Sequence, residues 1–500
     1  MFRSEQNRDV TPAPSAALGV DVGTTNTKVV LAVFGDVVTE VRTVTVPTPS
    51  GGSALQAVVL GAIREVAADS PHPIAALGVA AMGETGSLTG PDGEPRGDLL
   101  RWTEGDTATA DRLVATAGAE ALYGATGVPA PRKSPLVHWL RLTEEQDARL
   151  PGARWLGADG LVISCLTGEA VTDHTLAART MAYRLPAPDA PLADAFDADL
   201  LALAGLAPDR FPRVVRPGAI AGTLTAAAAA ALGLPQGLPV VAAGHDHAVG
   251  AWAAGAREPG DAADSVGTAE ALLRIVDTVS REDARRQGMS IGRSIDGRHE
   301  TLLAGNPTAG ALVEWAFAEL LPGTDRHDVL EQACALADAP VEAFMLPYLR
   351  GRQSPAPDVS QTLRLIHLGA RSEPSVGRIA DPAAALTAVL TGLVLQLAWM
   401  DAAQTALTGP RRAELAVLGG PGAANGAWWR LKQRILPGTL HRVDAAEPVA
   451  TGAAALAAHR VTGLTTSLPL SSADSAASTG DPALLDAFVQ AATHPSKETA

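Results

Sequence analysis

Asp21-Val22-Gly23-Thr24-Thr25-Asn26-Thr27-Lys28 separates two apolar runs, at 17–20 and 29–33. Apolar, β-rich runs on either side of a Gly-centred turn predict a hairpin. Gly23 admits a tight turn that bares backbone N–H groups to a phosphate. Thr24, Thr25 and Thr27 add hydroxyl donors there, and Lys28 adds a point charge. Asp21, at the strand end, stands where a carboxylate holds Mg²⁺ directly or through water. The same residue types also build ordinary polar turns, and the string is neither a Walker A loop nor a dinucleotide fingerprint.

Working outward, 74–80 and 238–243 read as further strands, with Ala-rich helices at 53–69 and 106–120 between them. Strands alternating with helices predict an α/β protein. Gly255-Ala256-Arg257-Glu258-Pro259-Gly260 reads as a linker, after which the series restarts. Strands are expected at 262–267, 301–304 and 415–418, and helices at 308–321 and 386–406. In the first of these helices Leu312, Val313, Ala316, Phe317 and Leu320 share one face, and Pro322-Gly323 stops it. The expected organisation is an N-terminal lobe over 16–255, a C-terminal lobe over 262–460 and a frayed Ser/Ala/Thr-rich tail over 465–500. No short-period repeat occurs, which disfavours a solenoid or propeller.

Composition narrows the partners. Among 500 residues, 39 basic and 54 acidic side chains leave a formal charge of −15, with no clustered basic surface for nucleic acid. Hydrophobic residues at 47% against 19% charged allow a large core. The two cysteines, Cys165 and Cys334, cannot make a disulfide framework or a zinc ribbon. Residues 1–15 are polar and unlike a signal peptide, and the most apolar stretch, 388–400, is short for a bilayer and broken by Thr391, Gly392 and Gln396. The expectation is a soluble cytoplasmic protein with a small-molecule partner, no nucleic acid and no membrane; a homodimer stays open.

Two more Gly-rich turns follow apolar strands. One is Asp264-Ser265-Val266-Gly267-Thr268. The other is Leu418-Gly419-Gly420-Pro421-Gly422-Ala423-Ala424-Asn425, opening a helix that carries Trp428 and Trp429. Backbone amides at such turns can line a nucleotide, and Asn425 can cap the helix or bond the base. The three turns, in this order, resemble the phosphate 1, phosphate 2 and adenosine motifs of the FGGY carbohydrate kinases, within the actin, sugar-kinase and Hsp70 superfamily. The resemblance runs from about 18 to 458. It implies two actin/RNase H-like lobes flanking a central nucleotide and substrate cleft, with ATP and Mg²⁺ as cofactors. It places Asp21, Gly23, Thr24, Thr25, Thr27 and Lys28 at the nucleotide, with Asp21 also at the metal. Gly267, Thr268 and Gly310 join them from the second half, as do Gly419, Gly420, Ala423 and Asn425. Gly305-Asn306-Pro307-Thr308-Ala309-Gly310 and Leu346-Pro347-Tyr348-Leu349-Arg350-Gly351 are also family-like. The family usually continues the latter with Glu-Arg, where this chain has Arg352 and Gln353.

The resemblance puts Asp246, in Gly244-His245-Asp246-His247-Ala248-Val249-Gly250, at the family's general base. A carboxylate there suffices, because a loose phosphoryl-transfer transition state needs positioning more than force. The residue types alone also allow Asp246 to cap the next helix. If the segment is extended, His245 and His247 share a face opposite Asp246, so the three do not converge on a transition metal, although one His can contact substrate. For the acceptor, Met82, Glu84, Trp102, Glu104 and His245 are the candidates. Glycerol kinases have Arg-Glu-Thr where this chain has Gly83-Glu84-Thr85; xylulose kinases have Met-His-Gly, of which Met82 remains. The implied activity is transfer of the ATP γ-phosphate to a hydroxyl of a small sugar, ketose or polyol. A cyclitol kinase and a nucleotide-driven switch ATPase are the alternatives.

Overall fold

The computed structural model describes residues 15–35, 38–129, 131–368, 379–419, 424–463, 467–472 and 477–494. The hairpin around Gly23 forms: Ser15–Val22 pairs antiparallel with Asn26–Phe34, Asp21 opposite Lys28. Val38–Pro47 extends it on one side. On the other, Ile74–Ala81 and then Pro239–His245 add in parallel, and Ala219–Thr223 closes the edge antiparallel. The second half repeats this order. Ala262–Val266 and Glu270–Val276 form a hairpin extended by Glu300–Asn306, while Glu414–Leu418 and Pro437–Val443 run parallel on the far side. Parallel neighbours require crossovers, and helices such as Gly52–Ala67 supply them. The chain is therefore α/β, with two actin/RNase H-like lobes flanking a cleft.

Strand alternation decides which helix meets which face. Leu18, Val20, Leu77 and Val79 pack with Leu55, Val59, Leu161 and Ile163 of the Gly52–Ala67 and Ala158–Thr167 helices. Ala17 and Ala80 face the opposite side, against the Pro448–Thr462 helix. Gly19 and Gly78 lie on that second face. A Cβ on Gly19 would sit 1.8 Å from the Ala450 carbonyl oxygen, and one on Gly78 2.1 Å from that of Ala453. The helix thus rests on bare backbone, which only glycine permits. Asp21 shares the parity of Ala17 and Gly19, so its carboxylate emerges where the strand end meets the start of that helix.

Three expected elements differ. The helix expected over 106–120 is two, Thr107–Ala117 and Ala119–Thr126, broken at Gly118 with φ 80°. The helix expected over 308–321 is α-helical only over Gly310–Trp315 and continues as a π-turn over Ala316–Leu320, which rotates Leu320 off the shared face to 39% exposure. The 388–400 stretch belongs to a 27-residue helix, Pro382–Thr408, long and apolar enough to cross a membrane, rather than being too short. Most of it is buried in the core. The interruptions there are internal contacts: Gly392 admits the Met345 backbone, and Gln396 bonds both Tyr348 and the Ser354 carbonyl.

Candidate active site

A cleft of about 730 Å³ lies between the two sheets, where the central parallel strands end. Open α/β sheets bind ligands at such carboxyl ends, because the chain must turn there and its turn groups are free of the ladder. The first-half wall holds Asp21, Lys28 and Asp246. Lys28 Nζ lies 2.8 Å from Glu447 and 3.9 Å from Asp21. Asp21 is 5% exposed, and its Oδ1 has no partner among the described residues. Burial pushes its carboxyl up to about 7 against the pull of Lys28, and the nearby Asp246 and Glu447 charges add to the rise.

Asp246 opens the helix Asp246–Ala253 directly after the strand Pro239–His245. The strand ends there because its pairing shifts between Ala242 and Gly244, and Gly244 takes φ 124°. The segment is therefore not extended, which corrects the expectation that the two histidines face away from Asp246. His245 Nε2 lies 3.2 Å and His247 Nε2 3.9 Å from Asp246 Oδ1, and the three ligand atoms lie within 4.8 Å of one another. His245, not Asp246, holds the cap position, while Asp246 Oδ1 accepts from the His247 N–H at 2.6 Å. All these contacts fall on Oδ1. Burial lowers His245 to about 4, so it is neutral at neutral pH.

Beside Asp246 the cleft narrows around Glu84, which adopts φ 57°. A non-glycine residue stays in the left-handed region only where its surroundings hold it there. Arg179 bonds Glu84 Oε1 through Nε and a terminal nitrogen, and Lys133 Nζ stands 3.6 Å from the same oxygen. Burial acts to raise Glu84, but Arg179 and then Lys133 overcome it and hold the carboxyl down to about 2. Gly83 explains how Arg179 arrives: a Cβ there would lie 3.0 Å from Arg179 Cγ and 3.2 Å from His245 Nε2. Trp102 closes this end, its Nε1 donating to Thr24 Oγ1 at 2.9 Å with Lys133 5.4 Å from its ring. Met82 also lines it, its sulfur 3.5 Å from Thr24 Oγ1.

The opposite wall is the loop Val266–Ala269, braced by Gly310, whose N–H donates to the Gly267 carbonyl at 3.0 Å. Ala311 N–H bonds the Thr268 carbonyl in the same way. Beneath the loop Lys432 is wholly buried between Asp264 and Glu270, the latter at 3.1 Å. The strands flanking the loop are thereby tied to the helix Gly426–Ile435. Asn306, 3% exposed, lines the cleft with Nδ2 unpartnered among the described residues.

The N-terminal domain of the FGGY family of carbohydrate kinases matches residues 16–253, and its C-terminal domain matches 263–461. This chain belongs to the FGGY family of carbohydrate kinases. It is 31% identical over 378 residues to a xylulose kinase of Streptomyces coelicolor, covering 74% of this chain and 71% of that one. It is 33% identical over 202 residues to an L-fuculokinase of Escherichia coli, but spans only 41% of that relative's length. The gluconate kinase structure from Lactobacillus acidophilus shares the fold, with a TM-score of 0.78 at 19% identity over 96% of each chain.

In this FGGY chain, Asp21, Gly23, Thr24, Thr25, Lys28, Met82, Glu84, Trp102, His245, Asp246, Gly267, Thr268, Gly310 and Gly419 all line one cleft. Three expected residues do not. Thr27 faces inward, wholly buried, with its hydroxyl on Thr48 at 2.9 Å, because its strand parity is opposite to that of Lys28. Glu104 is exposed on a turn outside the cleft. Asn425 caps the Gly426–Ile435 helix by accepting from the Trp428 N–H and does not line the cleft. Gly420 and Ala423 lie outside the described residues. The sequence reading missed Arg179, Lys133 and Glu447. The absence of the arginine at Gly83 was the one available signal, since it leaves a slot that another residue fills.

Proposed function

We propose that this protein transfers the γ-phosphate of ATP to a hydroxyl of a small sugar, ketose or polyol. The observation that carries the reading is the placement of Asp246, on a helix start between the Glu84 end of the cleft and its glycine loops. An alcohol becomes a nucleophile when its proton has an acceptor in reach at the moment of attack. Asp246 Oδ2 is that acceptor, while Oδ1 is held by the His247 N–H. Glu84 and Trp102 orient the acceptor, and the amides of the Gly23 and Gly267 turns cradle the phosphates. The unpartnered Asp21 Oδ1 beside Asp246 and Glu447 suits a hard divalent cation with oxygen ligands. Asp21 would hold Mg²⁺ there, directly or through water, and the ion would neutralise phosphate charge. Closure of the two lobes excludes water, the competing phosphoryl acceptor. Coupled ADP release against a panel of ketoses, aldoses, polyols and cyclitols tests the reading. ADP release that ignores every acceptor would favour the switch ATPase instead.

Asp21→Ala is expected to raise the Mg²⁺ concentration for half-maximal rate about tenfold or more. Acceptor binding without ATP should stay unchanged; its collapse at an unaltered Mg²⁺ requirement would mean that the hairpin serves the acceptor.

Glu84→Ala removes a charged acceptor of hydroxyl hydrogen bonds, worth roughly 1.5 to 3 kcal/mol. Acceptor kcat/KM should drop about ten- to a hundredfold with the ATP KM unmoved. A defect confined to ATP would remove Glu84 from the acceptor end. One observation favours a second reading, an acceptor that bears a carboxylate, such as an aldonate. Two cations, the buried Arg179 and the half-buried Lys133, face the single carboxylate of Glu84. Including aldonates in the panel decides between the two.

A further inference from the structure

A second cavity of about 280 Å³ lies beyond Lys133, between the two lobes. Its volume sits near the lower end of small-molecule sites, the size of one metabolite. Five cations line it: Arg132 and Lys133 from the first lobe, and Arg285, Arg350 and Arg352 from the second. Among the described residues no Asp or Glu lines it. In a chain of formal charge −15, so one-sided a wall is a local exception.

The charges are also poorly neutralised. Lys133 pairs with Glu84 and Arg285 with Glu282. Arg132, Arg350 and Arg352 make no ion pair with the described residues. Arg352 is buried, its guanidinium on the Ala356 and Ala492 carbonyls and over the Tyr348 and Trp399 rings, so Arg132 and Arg350, one from each lobe, are the cations left for a ligand. Arg352 also stands where the family usually has glutamate. The remaining wall is apolar, with Leu122, Val128, Pro129, Met181 and Pro357.

We propose that this cavity is a second small-molecule site, one that takes a phosphate monoester of metabolite size. Arginine forks match phosphate oxygens in pairs, and four of the five cations are arginines, contributed by both lobes. The apolar wall receives the carbon skeleton. Lys133, Pro307 and Gln353 wall both this cavity and the cleft, so an anion here competes with Glu84 for Lys133. Binding at one site then alters affinity at the other, reciprocally.

The experiment is calorimetric titration of the full chain with glucose 6-phosphate, inorganic phosphate and citrate at fixed ionic strength. A saturating non-hydrolysable ATP analogue with Mg²⁺ occupies the nucleotide loops throughout. Wild type is expected to bind glucose 6-phosphate at one site per chain, with inorganic phosphate weaker. Arg132→Gln and Arg350→Gln, both at exposed positions, should each weaken it at least about tenfold. Phosphorylation rates without added anion should be unchanged in both. Binding that survives both substitutions, or binding of citrate alone, overturns the proposal, as does the absence of binding by all three probes. Because the readout is binding, a failure here and a failure of the kinase assay are separate results.

Discussion

Asp246→Asn is expected to cut phosphoryl transfer by roughly two to four orders of magnitude while nucleotide affinity stays near wild type. The amide keeps the size of the side chain and an oxygen that can accept from the His247 N–H, so the helix start should survive. What it loses is basicity at the atom to which the proposed mechanism assigns the acceptor's proton. Binding titration with ADP beside steady-state turnover separates the two effects. Equal losses in both would make Asp246 a structural residue whose charge organises Asp21 and Lys28. A turnover unchanged within a few-fold would remove it from the chemistry.

Lys432→Met is expected to destabilise the second lobe by about 3 to 5 kcal/mol. Lys432 is fully buried between Asp264 and Glu270, and burial already pushes both carboxyls upward against its pull. Without the ammonium, two acids share a dry site and at least one must take a proton or draw in water. Thermal unfolding should show a lowered transition, and the ATP KM should rise because the triad supports the Gly267 loop. Replacing all three residues by apolar side chains of similar volume should recover much of the stability, since the cost lies in the uncompensated charges. A single variant as stable as wild type would show that the site hydrates readily.

How much was legible in the chain follows from distance along it. The Gly23 hairpin, the strand that leads into Gly267 and the Ile74–Ala81 strand are local signals, written as apolar runs ending in Gly and hydroxyl residues, whereas the place of Asp246 comes from the family resemblance. Arg179 reaches Glu84 across 95 residues, and no local pattern marks it. An extended segment would part His245 and His247 from Asp246, whereas a pairing irregularity at Gly244 turns the chain into a helix and brings them together. Residue type and the motif resemblance place Thr27 at the phosphates, but hairpin parity turns it inward. Composition names the residue types available to a turn, and register decides which of them face the ligand.

The contact of the Pro448–Thr462 helix with Gly19 and Gly78 also orders events during synthesis. About 200 residues separate the last parallel strand of the first sheet, ending at His245, from the helix that covers one face of that sheet. At roughly 5–20 residues per second, the sheet leaves the ribosome on the order of 10–40 s before its cover does. For that interval its glycine-lined face lacks the helix that covers it, and the N-terminal half is not yet a finished domain. Only when the C-terminal half has been made does the first lobe gain its second layer, so the two lobes mature together.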